Sequence, residues 1–469
     1  MTPDRLPDSL RCAVLPLVLA LGACASAPTG APPSPTVPSA FRHTAGVEAA
    51  APSPAQDWWQ VFQDPVLDGI QAQAAGGNTS LQAAAARLSR ARALVRTAQA
   101  QRAPQVAVRA GVDRQGGPLV NAAGGAGTLL TTLADLSWEA DLFGRLQQGV
   151  DAAALDAQSR EALLREARLL VQASVAQTYF ELRALDAERA LVDAAANAWR
   201  ETVAITGQRL RTGSVAELEV VRAQAELAAI EAEGQALQRR RAQLEHALAL
   251  LAGVPASNFE LPPQDLRAPL PPIPAGVPAS VLTRRPDILA SQRAVQAAQA
   301  RAGLARTAWF PSLTLTASGG SASSDLGQLL QASTRAWSLA ALVGGVLFDG
   351  GRREAGIQVA EADLEEAAAG YREQILTALR EVEDQLASVQ LLAAQSRNAA
   401  TAVDLGRRAS VLAESRYRSG LASQLDVLDA RRTELRNQRD ALQVRSAQYQ
   451  ATVRLIRALG GGWEVAANR

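Results

Sequence analysis

The 469-residue chain is poor in the side chains that perform covalent or metal chemistry. It holds two histidines, His43 and His246, and two cysteines, Cys12 and Cys24. Two isolated imidazoles far apart in sequence supply neither a metal-ligand set nor a positioned general base. There is no Gly-x-Ser-x-Gly, no phosphate-cradling glycine loop and no Cys-x-x-Cys. Neither an enzyme nor a metal centre nor a bound cofactor is expected. The groups that stand out are carboxylates in ordered rows. Asp135, Glu139 and Asp141 fall on alternate positions of one segment, and Asp113 ends another. Asp426 and Asp429 are three apart, on one face if helical. Their available chemistry is electrostatic, since acidic groups along a passage attract cations and disfavour anions.

One cysteine invites a covalent step. Residues 1–23 read as a secretory signal, with Arg5 and Arg11 before a short apolar run at 13–23. That run is too short to span a bilayer. It closes on Leu21-Gly22-Ala23-Cys24, which resembles a bacterial lipobox. Cleavage there leaves Cys24 as a lipid-modified N-terminus, removes Cys12 and leaves no disulfide framework. Residues 24–56, rich in Pro, Ala and Ser, read as an extended tether.

The elements that position these groups come in two copies displaced by a constant 207 residues. Pro104 maps on Pro311, Gly144-Arg145 on Gly351-Arg352, Gly213 on Gly420 and Gly253 on Gly460. At the same shift Glu219 matches Asp426, whereas Arg222 matches Asp429. The unit is far longer than a solenoid repeat, so a duplicated domain is expected: a first copy at 57–253, a proline-rich linker at 254–286, a second copy at 287–460 and a tail at 461–469. The sequence is Ala-rich, all 47 basic residues are arginine, and the net charge of +1 implies no nucleic-acid partner. Ala with Leu, Gln, Glu and Arg favours long helices. No proline lies between Pro118 and Pro255 or after Pro311, so both stretches can remain helical.

Each copy is expected to hold a helix (80–101; 287–308), a strand pair (105–113 and 132–142; 312–319 and 337–348), a long helix (145–211; 352–418), a glycine turn and a return helix (216–252; 423–459). The long helix of roughly 65 residues spans about 100 Å. The strands alternate: Ala134, Leu136, Trp138 and Ala140 oppose Asp135, Ser137 and Glu139, and Val106, Val108 and Val112 oppose Gln105, Arg109 and Asp113. A half-buried soluble sheet alternates in the same way, yet nine to eleven alternating residues also mark a transmembrane β-strand. Beside the lipobox and the very long helices, the membrane reading is preferred. Four strands cannot close a barrel, and lipid tolerates no open edge; three chains would give twelve strands. The expected fold class is mainly α with a small β part: a duplicated unit of long antiparallel helices forming an α-barrel, plus four transmembrane strands per chain in a barrel closed by trimerisation.

The ordered motifs Trp138-Glu139-Ala140-Asp141-Leu142-Phe143-Gly144-Arg145, Arg285-Pro286-Asp287-Ile288, Phe310-Pro311-Ser312-Leu313, Leu347-Phe348-Asp349-Gly350-Gly351-Arg352 and Arg416-Tyr417-Arg418-Ser419-Gly420 span nearly the whole mature chain. With them the sequence resembles a TolC-like outer-membrane factor of the lipoprotein branch that serves resistance-nodulation-division efflux systems. The resemblance implies a homotrimeric tunnel with a β-barrel in the outer membrane, an α-barrel crossing the periplasm and an equatorial belt formed in part by the linker. Ala25 after Cys24 implies the outer membrane. The tunnel would be a passive conduit for small molecules, opened by a periplasmic adaptor and an inner-membrane pump. The tips would be the turns at Gly213 and Gly420. Asp426 and Asp429 match the family's tip aspartates and Tyr417 its gating tyrosine; an arginine found in some members is replaced by Ala422. Asp113, Asp135, Glu139 and Asp141 would line the barrel lumen. The alternatives are a type I protein-secretion outlet and a periplasmic adaptor or scaffold lipoprotein.

Overall fold

The computed structural model describes residues 38–43, 57–116, 126–273 and 278–462. Cys24, the signal segment and most of the tether lie outside the described residues. The element order is α1 (Pro65–Gly77), α2 (Thr79–Ala100), β1 (Gln105–Gln115), β2 (Gly127–Ala140), α3 (Arg145–Arg211), α4 (Glu217–Ala252), α5 (Pro278–Arg284), α6 (Pro286–Arg306), β3 (Ser312–Ser323), β4 (Arg335–Gly344), α7 (Arg352–Arg418) and α8 (Gln424–Ala458). The duplication is visible in the coordinates. Helices α3 and α7 are each 67 residues long and begin and end 207 apart. Glycines with positive φ recur at the same shift, as Gly144 and Gly351, Gly213 and Gly420, and Gly253 and Gly460.

Several expected boundaries shift for local reasons. Strand β2 stops at Ala140 rather than 142, because Asp141 turns out of the sheet. Its carboxylate accepts from the Leu146 and Gln147 amides at 3.0 and 2.7 Å, capping α3. Strand β1 runs to Gln115 rather than 113 and β2 begins at Gly127 rather than 132, because Asp113–Gln115 pair with Gly127–Leu129; β3 continues to Ser323 rather than 319, because it stays paired with β2 as far as Leu130↔Ser323. Strand β4 covers Arg335–Gly344 rather than 337–348. The linker is not free of helix, as α5 occupies its end. Helix α1 was not anticipated; Asp64 caps it through the Val66 and Leu67 amides.

The chain divides into two compact units. The first gathers the sheet with residues 88–160 and 291–371; the second gathers 35–87, 161–290 and 372–469. In the first, the four strands form one antiparallel meander in the order β1-β2-β3-β4. In the second, the buried core includes an aromatic cluster: Phe62 lies 4.6 Å from Phe180, and Phe180 stacks on Tyr449 at 4.7 Å. The linker is fastened there by polar groups. Arg183 donates to the Pro262 carbonyl at 2.7 Å, Glu245 accepts from the Leu261 amide, and the Tyr449 hydroxyl donates to the Ala268 carbonyl.

The Arg285-Pro286-Asp287 motif is a buried fastening point in the same unit. Arg285 donates to Asp287, to Glu381 at 2.8 Å and to the Ala458 carbonyl at 3.1 Å. Its mate in the first copy is Asn78, whose amide donates to the Leu251 carbonyl at 2.9 Å. Ala458 and Leu251 are also 207 apart. Both copies therefore tie the start of their short helix to the last turn of their return helix.

Candidate functional site

In the first unit the site is the face of the sheet. Register places Val106 and Val108 opposite Leu136 and Ala134. Trp138 and Ala140 pair with Leu315 and Leu313, and these in turn with Ala341 and Val343. One face is thus apolar across all four strands, and the alternation of β4, weak in sequence, is resolved by its neighbours. This face is exposed: Val108 is 75% accessible, Trp337 79% and Leu339 73%. Water does not support so broad an exposed apolar surface; lipid does. No helix among the described residues is long and apolar enough to cross a membrane. The two outer strands, β1 and β4, each leave one row of backbone groups unpaired by the sheet.

The opposite face is polar, carrying Arg109, Asp135, Ser137, Glu139, Thr314, Thr316 and Ser318. Three of the four carboxylates expected on it are already engaged. Asp135 accepts from Arg109 Nε at 2.7 Å. Glu139 receives two bonds from Arg145, at 3.1 and 2.7 Å. Asp141 is the helix cap described above. Asp113 stands exposed, with no ion pair among the described residues. The expected row of free negative charge is therefore mostly a row of neutral pairs. In sequence Arg109 and Arg145 read as a strand position and a motif position, not as the partners of these carboxylates.

The helical turns lie in the second unit. At Gly213 the Ser214 amide donates to Arg209 O at 2.8 Å, and at Gly420 the Leu421 amide donates to Arg416 O at 2.8 Å. Both are glycine-terminated helix ends in which a left-handed residue satisfies the last carbonyls. Helix α8 then opens with a capping box. Ser423 Oγ accepts from the Asp426 amide, and the Asp426 carboxylate accepts from the Ser423 amide at 2.7 Å. Those bonds hold the Asp426 carboxyl below the ordinary carboxylate range. Asp429 is exposed, with Arg432 3.9 Å away. Glu219 is half-buried in the first turn of α4. Helix α4 lacks a side-chain cap, because Ala216 stands where Ser423 does.

Tyr417 meets the first copy: its hydroxyl accepts from Arg209 Nη1 at 2.9 Å, with the guanidinium 5.7 Å from the ring centre. Above the turns, α8 reaches both helices of the first copy. Arg432 pairs with Glu226, and Arg439 with Glu188 and Glu233 at 2.8 and 2.5 Å. Arg431 pairs with Glu414 of α7 at 2.7 Å. These partners lie 17 to 251 residues apart, and no local pattern announces them. Among the described residues no cluster of three potential ligands could hold a metal ion.

A lipid-exposed sheet with two open edges, joined to helices too polar for a bilayer, defines one subunit of a multi-chain outer-membrane channel. The chain belongs to the outer membrane efflux protein family, whose model matches it twice, at residues 71–254 and 277–461. The two matches start 206 residues apart and end 207 apart, tracing the duplication. The outer membrane protein OprJ of Pseudomonas aeruginosa is 32% identical over 454 residues, covering 96% of this chain and 95% of OprJ. The solvent efflux pump outer membrane protein SrpC of Pseudomonas putida is 33% identical over 418 residues, covering 87% and 88%. The structure of the outer-membrane channel OprN superposes with a TM-score of 0.88 at 30% identity, covering 94% of this chain and all of that one.

Proposed function

We propose that three copies of the chain form a passive conduit through which an inner-membrane resistance-nodulation-division pump, joined by a periplasmic adaptor, expels small molecules across the outer membrane. The observation that carries the reading is the pair of open strand edges flanking an exposed apolar face. Each unpaired backbone group in hydrocarbon costs several kcal/mol, so the sheet must close on further copies. Three copies give twelve strands, an even number in the range of bacterial barrels. The small-molecule cargo is supported by relatives such as SrpC, whose name specifies solvents. The conduit has no catalytic step, in keeping with a channel family.

Further expectations belong to the same reading. Cys24 carries the lipid and anchors the tether in the outer membrane. Mass spectrometry of the N-terminal peptide tests this; an unmodified cysteine, or cleavage elsewhere, overturns it. The turns at Gly213 and Gly420 form the periplasmic tip, with Tyr417, Asp426, Asp429 and Glu219 around its opening. Electron microscopy of the detergent-extracted full-length protein tests the conduit. A three-fold particle with a helical tube about 100 Å long is expected, and a monomer without a barrel overturns it.

A further inference from the structure

We infer the strand register at the interface between copies: β4 of one copy pairs antiparallel with β1 of the next, with Leu347 opposite Val106, Val343 opposite Ala110 and Ala341 opposite Val112. This rests on the trimeric reading above and adds the residue pairing at its seams.

The register follows from the duplication. Moving every β3–β4 pair back by 207 residues reproduces a β1–β2 pair: Ser312↔Gly344 becomes Gln105↔Ser137, and Ser321↔Arg335 becomes Arg114↔Thr128. The two hairpins are therefore the same object in the same register. A closed ring of such hairpins has two kinds of seam. One lies inside the chain, between β2 and β3, and is fully described. The other lies between chains and joins the same two edges of the repeat. Applying the shift to the inner seam, forward on β2 and back on β3, turns Ala140↔Leu313 into Leu347↔Val106. Likewise Leu136↔Ala317 becomes Val343↔Ala110, and Asp135↔Ser318 becomes Leu342↔Gly111.

Two observations that did not enter this construction agree with it. The first concerns the end of β4. Strand β2 runs three residues past its last β1 pair, because β3 holds Trp138, Glu139 and Ala140. The matching residues Gly345, Val346 and Leu347 have no partner in the single chain. They lie outside any assigned strand, and Leu347 is 99% exposed. Pairing with the next copy's Val108, Ala107 and Val106 in turn completes the strand, so the expected run of β4 past Gly344 has a physical reason.

The second is the match of large and small residues. The inferred register sets Leu342 against Gly111, Gly344 against Arg109, Gly345 against Val108, and Trp337 against Gly116 of the next copy. The inner seam uses the same device, with Leu133 opposite Gly320, where an added Cβ would strike the β2 backbone. A register moved by two keeps the faces but sets Leu342 against Asp113 and Gly344 against Gly111. That leaves two glycines facing each other and sets the bulk of Leu342 against Asp113 instead of the open space over Gly111. A register moved by one would turn the apolar face of one strand toward the polar face of the other.

Paired cysteines test the register. Directly opposite residues have Cβ atoms about 4.5–5.5 Å apart and diagonal ones about 7–8 Å, and a disulfide needs about 3.5–4.5 Å. Full-length L347C/V106C and V343C/A110C proteins are oxidised in native outer membranes and compared with the parent and with L347C/V108C. Covalent trimers are expected from the first two and not from the last or the parent. Before oxidation, native electrophoresis and electron microscopy read the assembly separately. A trimer that cross-links only through the shifted pair, or through neither matched pair, overturns the register and leaves the conduit standing. A parent protein that is monomeric overturns the trimeric conduit itself.

Discussion

Arg285 shows how a weak sequence motif becomes a structural requirement. Its guanidinium is buried and serves two carboxylates and a helix-terminal carbonyl together. Removing one member of a buried charge network leaves the others unpaired, at on the order of 3–5 kcal/mol. Arg285→Ala is therefore expected to lower the thermal midpoint of the purified protein markedly, as read by circular dichroism. Arg285→Lys should recover little, because an ammonium cannot hold that fork of partners. Beside it, burial first and the Asp287 charge second push the Glu166 carboxyl from 4.5 up to about 7. The folded chain thus keeps a proton that the unfolded chain has released. The stabilisation from this group is whole below about 4.5 and is lost as pH rises through about 7. Glu166→Gln should flatten the fall in stability between those values by on the order of 3 kcal/mol. An unchanged pH profile of thermal midpoints would refute this.

At the scale of elements, the two tip turns differ in how they restart the helix. Ser423 and Asp426 close a capping box on α8, whereas α4 begins at an uncapped Ala216. Ser423→Ala should cost about 1 kcal/mol. The loss should appear as faster amide exchange in the first turn of α8, with α4 unaffected; equal loss at both turns would contradict this assignment. The long helices were legible in sequence because proline is absent from them and glycine ends them, and α3 and α7 occupy the spans that this punctuation leaves open. Helix α1 was missed because it is short and closes on Gly76-Gly77-Asn78, which reads as a loop. Strand faces were legible from alternation. Strand ends were not, since an end is set by which neighbour supplies hydrogen bonds, and for β4 that neighbour is the next copy. The candidate site divides in the same way. Tyr417 and the acidic positions could be picked out, but their partners Arg209, Arg109 and Arg145 could not. Tyr417 and Arg209 lie 208 residues apart and meet only through the fold.

For the whole molecule, these pairings change the expected field inside the barrel. A row of free carboxylates on the polar face would make a strongly cation-selective pore. The sheet instead sets Arg109 on Asp135 and Arg145 on Glu139 and uses Asp141 as a cap, which leaves Asp113 without an ion pair among the described residues of that face. Threefold assembly multiplies each of these sites, so any unbalanced charge is repeated around the lumen. The parent channel should therefore show only a weak preference for cations in planar bilayers. Arg109→Gln removes a positive charge and frees Asp135 in every copy, and its reversal potential under a salt gradient should move by several millivolts toward cation selectivity. Asp113→Asn should move it the opposite way, without changing trimer yield, because no ion pair among the described residues depends on that carboxylate. A parent channel with clear anion selectivity, or an Arg109→Gln channel indistinguishable from it, would mean that this polar face does not line the ion path.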